Sequence, residues 1–438
     1  MPADAYPSWG RFPQASHEVV RLQHRVEGLG SIPKQHKWLA YGNGRSYGDS
    51  CLNDGGLLIH TRGLDRFLAF DASTGRIACE SGVLLAEILD VAVPQNWFLP
   101  VTPGTQFVTV GGAIANDVHG KNHHVQGTFG RHVSRFELLR SDGSRVVCSA
   151  EENPDLFRAT IGGLGLTGLI QWAEIQLRPI SSPWIDSETV KFESSDEFFA
   201  LSSESDKTFE FTVAWIDCLH RSVRGSRGHF IRGNHADVGP SAEDPQVAPR
   251  VLSFPVDPPF SLVNRASLRL FNTAYYHRQR SHRVRQRVHF RPFFYPLDGV
   301  LGWNRIYGRR GFFQFQCVIP HASARAALDE MMRAIAGSGQ GSFLAVLKQF
   351  GDITSPGMLS FPRPGATLAL DFPNAGQPTF DLLDRLEAIT LAAKGAIYPA
   401  KDARMSAKAF HQSFPALDAF VPHVDPQFSS SFWRRVNA

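Results

Sequence analysis

The stretch GNGRSYGDS, residues 42–50, follows the apolar run KWLAY and holds three glycines around one arginine. Gly42, Gly44 and Gly48 let the chain bend tightly and bring main-chain N–H groups close to a ligand. Their spacing is not that of a Rossmann fingerprint. A formal GxGxxG does occur at Gly163, Gly165 and Gly168, but a helix-like segment precedes it and a strand-like one follows, the reverse of the required order. A second glycine cluster, PGTQFVTVGGAIANDVHGKNHH (103–124), brackets a β-branched run with Gly104 and Gly111-Gly112. Two such turns allow N–H groups to converge on an anion such as a pyrophosphate.

The end of that second cluster is dense in polar side chains: Asn116, His119, Lys121, Asn122, His123 and His124. Three histidines are potential metal ligands, but no cysteine or spaced carboxylate accompanies them, and no metal is expected. A solvated loop is the plain reading of His123 and His124. The basic stretch HRQRSHRVRQRVHF (277–290) reads first as a solvated helix face or strand edge, and second as a surface for phosphates or anionic headgroups. In GAIYPAKDAR, Tyr398 and Lys401 flank a turn. The lysine either snorkels to solvent or aims a charge at a ligand anion.

Composition sets the outer bounds. The chain has 438 residues, enough for two or three domains, with 43% hydrophobic and 20% charged residues, as in ordinary globular proteins. A net charge of +4 is too balanced for nucleic acid as the main partner. Five scattered cysteines without a CxxC fit a reducing compartment rather than a disulfide framework. The N-terminus has no basic region followed by an apolar one, and no apolar run is long enough to span a bilayer, so a cytoplasmic protein is expected. Most of the 33 phenylalanines lie in the second half, which favours an apolar pocket or aromatic sheet packing there.

Short strands between glycine turns are predicted over 38–75, a helix over 84–95, and a helix from 154 with Asn153 as its cap. A strand follows to about 180, where SSPW reads as a linker. Beyond it, FTVAWIDC, FFQFQCVIP, SFLAVLKQF and ATLALDFP read as strands. ASARAALDEMMRAIAG and TFDLLDRLEAITLAAKG read as helices, the second closing on Gly395. Their irregular alternation points to an α+β fold. Residues 236–260, rich in proline and polar residues, read as a mobile loop.

The ordered set GNGRSYGDS, PGTQFVTVGGAIANDVHGKNHH, GGLGLTGLI, FFYPLDGVLGWNRIYG, SFLAVLKQFG, LSFPRPG, LALDFP and YPAKDAR resembles the decaprenylphosphoryl-β-D-ribose oxidase (DprE-type) flavoenzymes of the vanillyl-alcohol-oxidase superfamily. The likeness runs from Trp9 to the C-terminus. It implies a two-subdomain, PCMH-type FAD-binding domain with an inserted α+β substrate domain of antiparallel sheet and helices. Residues 1–180 and 396–438 would hold FAD, and 181–395 would form the substrate domain. The resemblance assigns Gly42, Asn43, Gly44, Arg45, Ser46, Tyr47, Gly48, Gly104, Thr109, Gly111, Gly112, Asn116, His119, Ile170 and Tyr398 to the cofactor. Tyr307, Gln314, Gln316, Lys348 and Lys401 fall to the substrate, with Lys401, His119 and Tyr398 as catalytic candidates. Superfamily sugar oxidases often carry a flavin-linked histidine where Arg45 stands, so the FAD here is expected to be non-covalent. Actinobacterial members carry a cysteine in the strand that reads LALDFP here, where this chain has Ala369.

The activity so implied is oxidation of the 2-hydroxyl of a polyprenylphosphoryl-β-D-ribofuranose to the 2-keto sugar, the first half of an epimerisation to the arabinose. A nicotinamide-dependent short-chain reductase would complete it, with peripheral contact at the inner membrane face. Two rival readings are a soluble alditol or aldonolactone oxidase using oxygen, and a non-catalytic flavin-binding subunit.

Overall fold

A computed structural model describes residues 6–30, 32–220, 226–237 and 252–437. The apolar run before the first glycine loop is strand β2 (Trp38–Tyr41). It lies in a parallel three-stranded sheet, ordered β1 (Glu18–Arg21), β3 (Leu57–His60), β2. In β3, Leu57, Leu58 and Ile59 are all buried, as expected of a short parallel strand covered on both faces.

An antiparallel five-stranded sheet follows, built from β4 (Phe67–Asp71), β5 (Arg76–Glu80), β6 (Val133–Leu139), β7 (Arg145–Ser149) and β8 (Leu169–Gln176) in the order β4-β5-β8-β6-β7. Helices α1 (Leu85–Ala92) and α2 (Val110–Ala115) bury Leu85, Ile88, Val110 and Ile114 against Ile77, Phe136 and Ala173 of this sheet. The Thr109 hydroxyl caps α2 by accepting the Gly112 N–H at 3.2 Å.

The third sheet has eight antiparallel strands: β9 (Trp184–Phe192), β10 (Phe211–Ile216), β11 (Gly228–His235), β12 (Arg283–His289), β13 (Phe312–Ile319), β14 (Val346–Phe350), β15 (Gly365–Pro373) and β16 (Ala396–Ile397). Their spatial order is β12-β9-β11-β10-β14-β15-β13-β16. The two-residue period of a strand divides its residues between two faces. Phe313, Phe315, Leu368 and Leu370 pack with Leu328, Met331 and Leu386 of two long helices, His321–Ser338 and Gln377–Ala392. The alternate residues Gln314, Gln316, Ala369 and Asp371 turn to a cavity.

After β16 the chain returns to the glycine loop and the first sheet. The Trp38 N–H donates to Gln427 O at 2.8 Å, and Phe428 packs edge-on against the Trp38 ring. Tyr47 N–H donates to Ala400 O at 2.9 Å, and Arg435 bridges Asp49 (2.7 Å) and Asp402 (2.9 Å).

The predicted strands and helices form within a few residues of their expected ends, with some local differences. Asn153 precedes its helix (Pro154–Thr160) with a left-handed φ of 51°, and its amide donates to Val147 O instead of capping. At the end of Gln377–Ala392 it is Lys394, with φ 57°, that takes the left-handed conformation expected of Gly395. A Cβ on Gly395 would meet Val318 O at 2.5 Å, so this glycine serves close packing. Within the proposed loop 236–260, residues 238–251 lie outside the described residues, while Leu252–Ser253 pairs with Val300–Leu301. The basic stretch divides between the end of helix Arg265–Arg278 and the edge strand β12. There Arg283 and Arg285 meet Glu188, and Arg287 meets Asp186. The strand-edge reading therefore accounts for these three. The five cysteines are free thiols. Among the described residues, no helix is long and apolar enough to cross a membrane.

Gly48 carries a test of this packing. A Cβ there would lie 1.7 Å from Asp402 O, a backbone atom that cannot swing aside. Gly48→Ala is expected to destabilise the protein by about 1–3 kcal/mol or more, as overpacking does. An unchanged urea midpoint would show that the contact is not tight.

Candidate active site

One continuous cavity of about 880 Å³ runs between the two glycine loops and the open face of the eight-stranded sheet. Gly42, Asn43, Gly44, Arg45, Ser46 and Tyr47 line it from the first loop, and Gly104, Thr109, Gly111, Gly112, Asn116 and His119 from the second. Ile170 on β8, Gln314 and Gln316 on β13, Lys348 on β14, and Tyr398 and Lys401 after β16 complete the expected set. Two expected residues are elsewhere. Gly48 faces the Asp402 backbone, because only a glycine lets the two segments touch. Tyr307 is buried behind the wall, its ring stacked 4.2 Å from Phe312 and its hydroxyl directed at the Asp371 carboxyl.

The glycine loops are locked to each other. The Asn43 amide donates to Phe107 O at 2.8 Å, and a Cβ on Gly42 would strike Thr109 Oγ1 at 2.4 Å. Gly44 takes a left-handed φ of 59°, which turns the chain. Among the described residues, the N–H groups of Asn43, Gly44, Arg45 and Ser46 find no protein acceptor. Buried Arg45 Nε is also without a partner, although the guanidinium is packed 4.1 Å from the Trp9 ring and faces Asp298. A run of N–H groups without a protein acceptor at a half-buried turn is placed to receive an anion.

At the other end His119 is held on both sides. Its Nε2 lies 2.9 Å from the Gln316 amide and its Nδ1 3.3 Å from Lys348 Nζ, which also donates to Gly120 O at 3.1 Å. A neutral imidazole donates at one nitrogen and accepts at the other. The Gln316 amide spends one N–H on His119 Nε2 and the other on Thr367 Oγ1 at 3.2 Å, so Nε2 accepts and the ring proton sits on Nδ1, on the side of Lys348 Nζ. Burial, and then the Lys348 charge, hold the His119 pKa well below the imidazole range. The Tyr398 hydroxyl donates to Asn116 O at 2.8 Å, and its ring stacks on Phe361. Tyr398 thus braces the second loop.

Three lysines face this space. Burial brings Lys121 to about 7, and burial with repulsion from Lys121 and Lys401 brings Lys348 to about 7. Lys401 Nζ sits 3.8 Å from the centre of the Tyr47 ring. Burial lowers its pKa, and nearby Asp371 opposes the shift without closing an ion pair. Asp371 itself is raised by burial and accepts from the Gln314 amide at 2.6 Å. His123 and His124 are enclosed, contrary to the solvated-loop reading. His123 packs 4.5 Å from Phe350, and His124 Nε2 bonds Phe209 O. The turn His123–Gln126 is pressed against β14, which buries both rings. No group of three or more His, Cys, Asp or Glu placed to hold a metal occurs among the described residues.

Residues 33–149 match the FAD binding domain family. Over 412 residues the chain is 37% identical to decaprenylphosphoryl-beta-D-ribose oxidase of Mycolicibacterium smegmatis, covering 91% of this chain and 88% of that protein. The chain belongs to the decaprenylphosphoryl-β-D-ribose oxidase family. It is also 32% identical, over 81% of its length, to the whole of an uncharacterized protein in the mprA 5′ region of Streptomyces coelicolor. A 27% identical segment covers 39% of this chain and 39% of L-gulonolactone oxidase of Mus musculus. The cofactor of this family member is FAD. The residues present suit it: the free N–H run of the first loop and the orphaned Arg45 nitrogen fit a pyrophosphate.

Sequence reasoning did not single out Asp371, Asp298 or Trp9. Asp371 had a readable signal, a lone carboxylate in the otherwise apolar strand LALDFP. Trp9 and Asp298 join the site across long sequence separations, which no local pattern reports.

The lysine cluster predicts a pH response. A lysine held near 7 in the fold titrates near 10.5 when unfolded, so between these values the unfolded chain binds more protons. Stability of the flavin-free protein is therefore expected to rise with pH from about 7.5 to 9.5, and the rise should be smaller in Lys348→Met. Identical urea-unfolding slopes against pH in both proteins would contradict the buried charge.

Proposed function

We propose that this chain oxidises the 2-hydroxyl of a polyprenylphosphoryl-β-D-ribofuranose to the 2-keto sugar, the first half of an epimerisation to the arabinose. The observation that carries the reading is Lys348 and Lys401, gathered with Gln314, Gln316 and Asp371 along the FAD cavity, with Lys121 behind them donating to Phe293 O and Phe294 O. A phosphosugar needs such cations, and neutral amides suit its hydroxyls. Residues 1–180 and 396–438 form the two-subdomain part that holds FAD, and 181–395 form the substrate domain. Support for this division comes from the glycine loops, which lie in the first part with the two smaller sheets, and from the C-terminal return to Trp38.

Bound FAD supplies the hydride acceptor. The chain binds the substrate phosphate through Lys348 and orients the sugar through Gln314 and Gln316, while Lys121, held by Phe293 O and Phe294 O, adds positive charge behind them. Lys401 Nζ takes the 2-hydroxyl proton, since burial gives it a substantial neutral fraction near neutral pH. His119 is less suited to that role, because both its nitrogens are engaged. It positions Lys348 and Gln316. Ala369, opposite Gln316 in the sheet, leaves that place smaller than the cysteine of actinobacterial members would. A nicotinamide-dependent reductase would complete the epimerisation. Peripheral membrane contact is supported by exposed apolar side chains between 252 and 301, among them Phe260, Leu270 and Phe271.

Lys401→Ala is expected to keep its FAD and to lose roughly 10²–10⁴-fold in substrate-driven flavin reduction. Stopped-flow bleaching under anaerobic conditions measures it. Near-normal reduction would remove Lys401 from the chemistry, and faster reduction by xylitol than by a polyprenylphosphoryl ribose would favour an alditol oxidase. Because Arg45 forms no flavin bond, acid precipitation is expected to release intact FAD into the supernatant. Flavin remaining with the pellet would contradict this.

A further inference from the structure

The cavity does not end at the lysines. It continues along the same face of the eight-stranded sheet, away from β13, to the edge strand β12. Val213, Ile231, Thr189 and Val284 are successive cross-strand partners on β10, β11, β9 and β12, and all four line the cavity. A parallel row runs from Val346 on β14 to Trp215 on β10. From β14 to β12 there are four strand spacings of about 4.8 Å, or roughly 19 Å in all.

The floor of this trough carries no charge. Its polar groups are Thr189, Ser187, Gln286, Tyr275 and His229, the last kept neutral by burial that brings it to about 4, until Arg278 and Gln279 at the far mouth. The arginines of β12 point to the opposite face, where Glu188 and Asp186 hold them. The far end is open, since Val284 on the edge strand is 36% exposed. A free sugar has no use for a charge-free apolar channel that begins at an anion site. An amphiphile with a phosphate at one end and hydrocarbon at the other matches it along its length.

We propose that this trough holds the polyprenyl tail, with the first isoprene units on Val213, Trp215 and Ile231 and the chain leaving the protein over Val284. The proposal rests on the phosphosugar reading and adds to it the path of the lipid. The tail would then select the substrate by length up to the sheet edge, and further units would leave the protein unread.

The test uses the FAD-loaded protein and ribosyl phosphates bearing one, two, three or four isoprene units. Each added unit is expected to raise kcat/KM about tenfold until the trough is filled, as differential burial in an apolar site does. Ile231→Asp should abolish the gain from the second unit onward. Val284→Asp lies at an exposed position that tolerates the change. It should keep activity on the one-unit substrate and lose the gain from the last units. Calorimetry adds a readout without turnover. Geranylgeranyl phosphate should bind more tightly than isopentenyl phosphate, with a negative heat-capacity change that shrinks in Val284→Asp. Equal kcat/KM across the series, or a Val284→Asp protein that keeps the full length dependence, would overturn the trough while leaving the oxidase reading intact. If no tail length supports flavin reduction, the oxidase reading fails. The calorimetric difference then decides the trough by itself.

Discussion

Arg435, in the last helix, holds two carboxylates that lie far apart in sequence: Asp49 beside the first glycine loop and Asp402 beside Lys401. Both carboxylates are buried, and their mutual repulsion would drive the segments apart without the guanidinium between them. The close approach of Gly48 to Asp402 and the Tyr47 hydrogen bond to Ala400 depend on that clamp. So does the seat of Lys401 over the Tyr47 ring. The cofactor loop and the chemical wall are thus joined by a two-armed ionic clamp, a main-chain hydrogen bond and the close approach at Gly48.

From there the site divides into two electrostatic halves. Toward the glycine loops, main-chain N–H groups and Arg45 offer donors without a protein acceptor. Toward the sheet, lysines gather around a histidine that is itself fully engaged. Both halves are built to receive anions, and in the flavin-free protein both keep positive charge away from water. Ligand binding supplies the acceptors that these donors lack.

The eight-stranded sheet makes this arrangement possible. Its apolar face is spent on two long helices, so the other face is free to carry function. At the β13 and β15 end that face presents amides, a carboxylate and Lys348. Across β10, β11, β9 and β12 it presents valine, isoleucine and threonine. A single pleated surface thereby passes from ionic to apolar without a change of backbone.

The sequence by itself determined the elements and the class of chemistry. Glycine spacing, period-two strands and the HGKNHH segment are local patterns, and local sterics suffice to read them. The family likeness also named residues that line the cavity from both glycine loops and from the sheet, Arg45, His119, Gln316 and Lys348 among them. Where it erred, the cause was non-local. Gly48 and Tyr307 carry the right residue types but turn away from the cavity, and His123 and His124 are buried by a strand more than two hundred residues distant. Only tertiary structure decided that Asp371 faces Lys401, that His119 has no free nitrogen, and that the cavity runs on to Val284. Each of these depends on strand register and on which face a side chain takes, and a shift of one residue would reverse it.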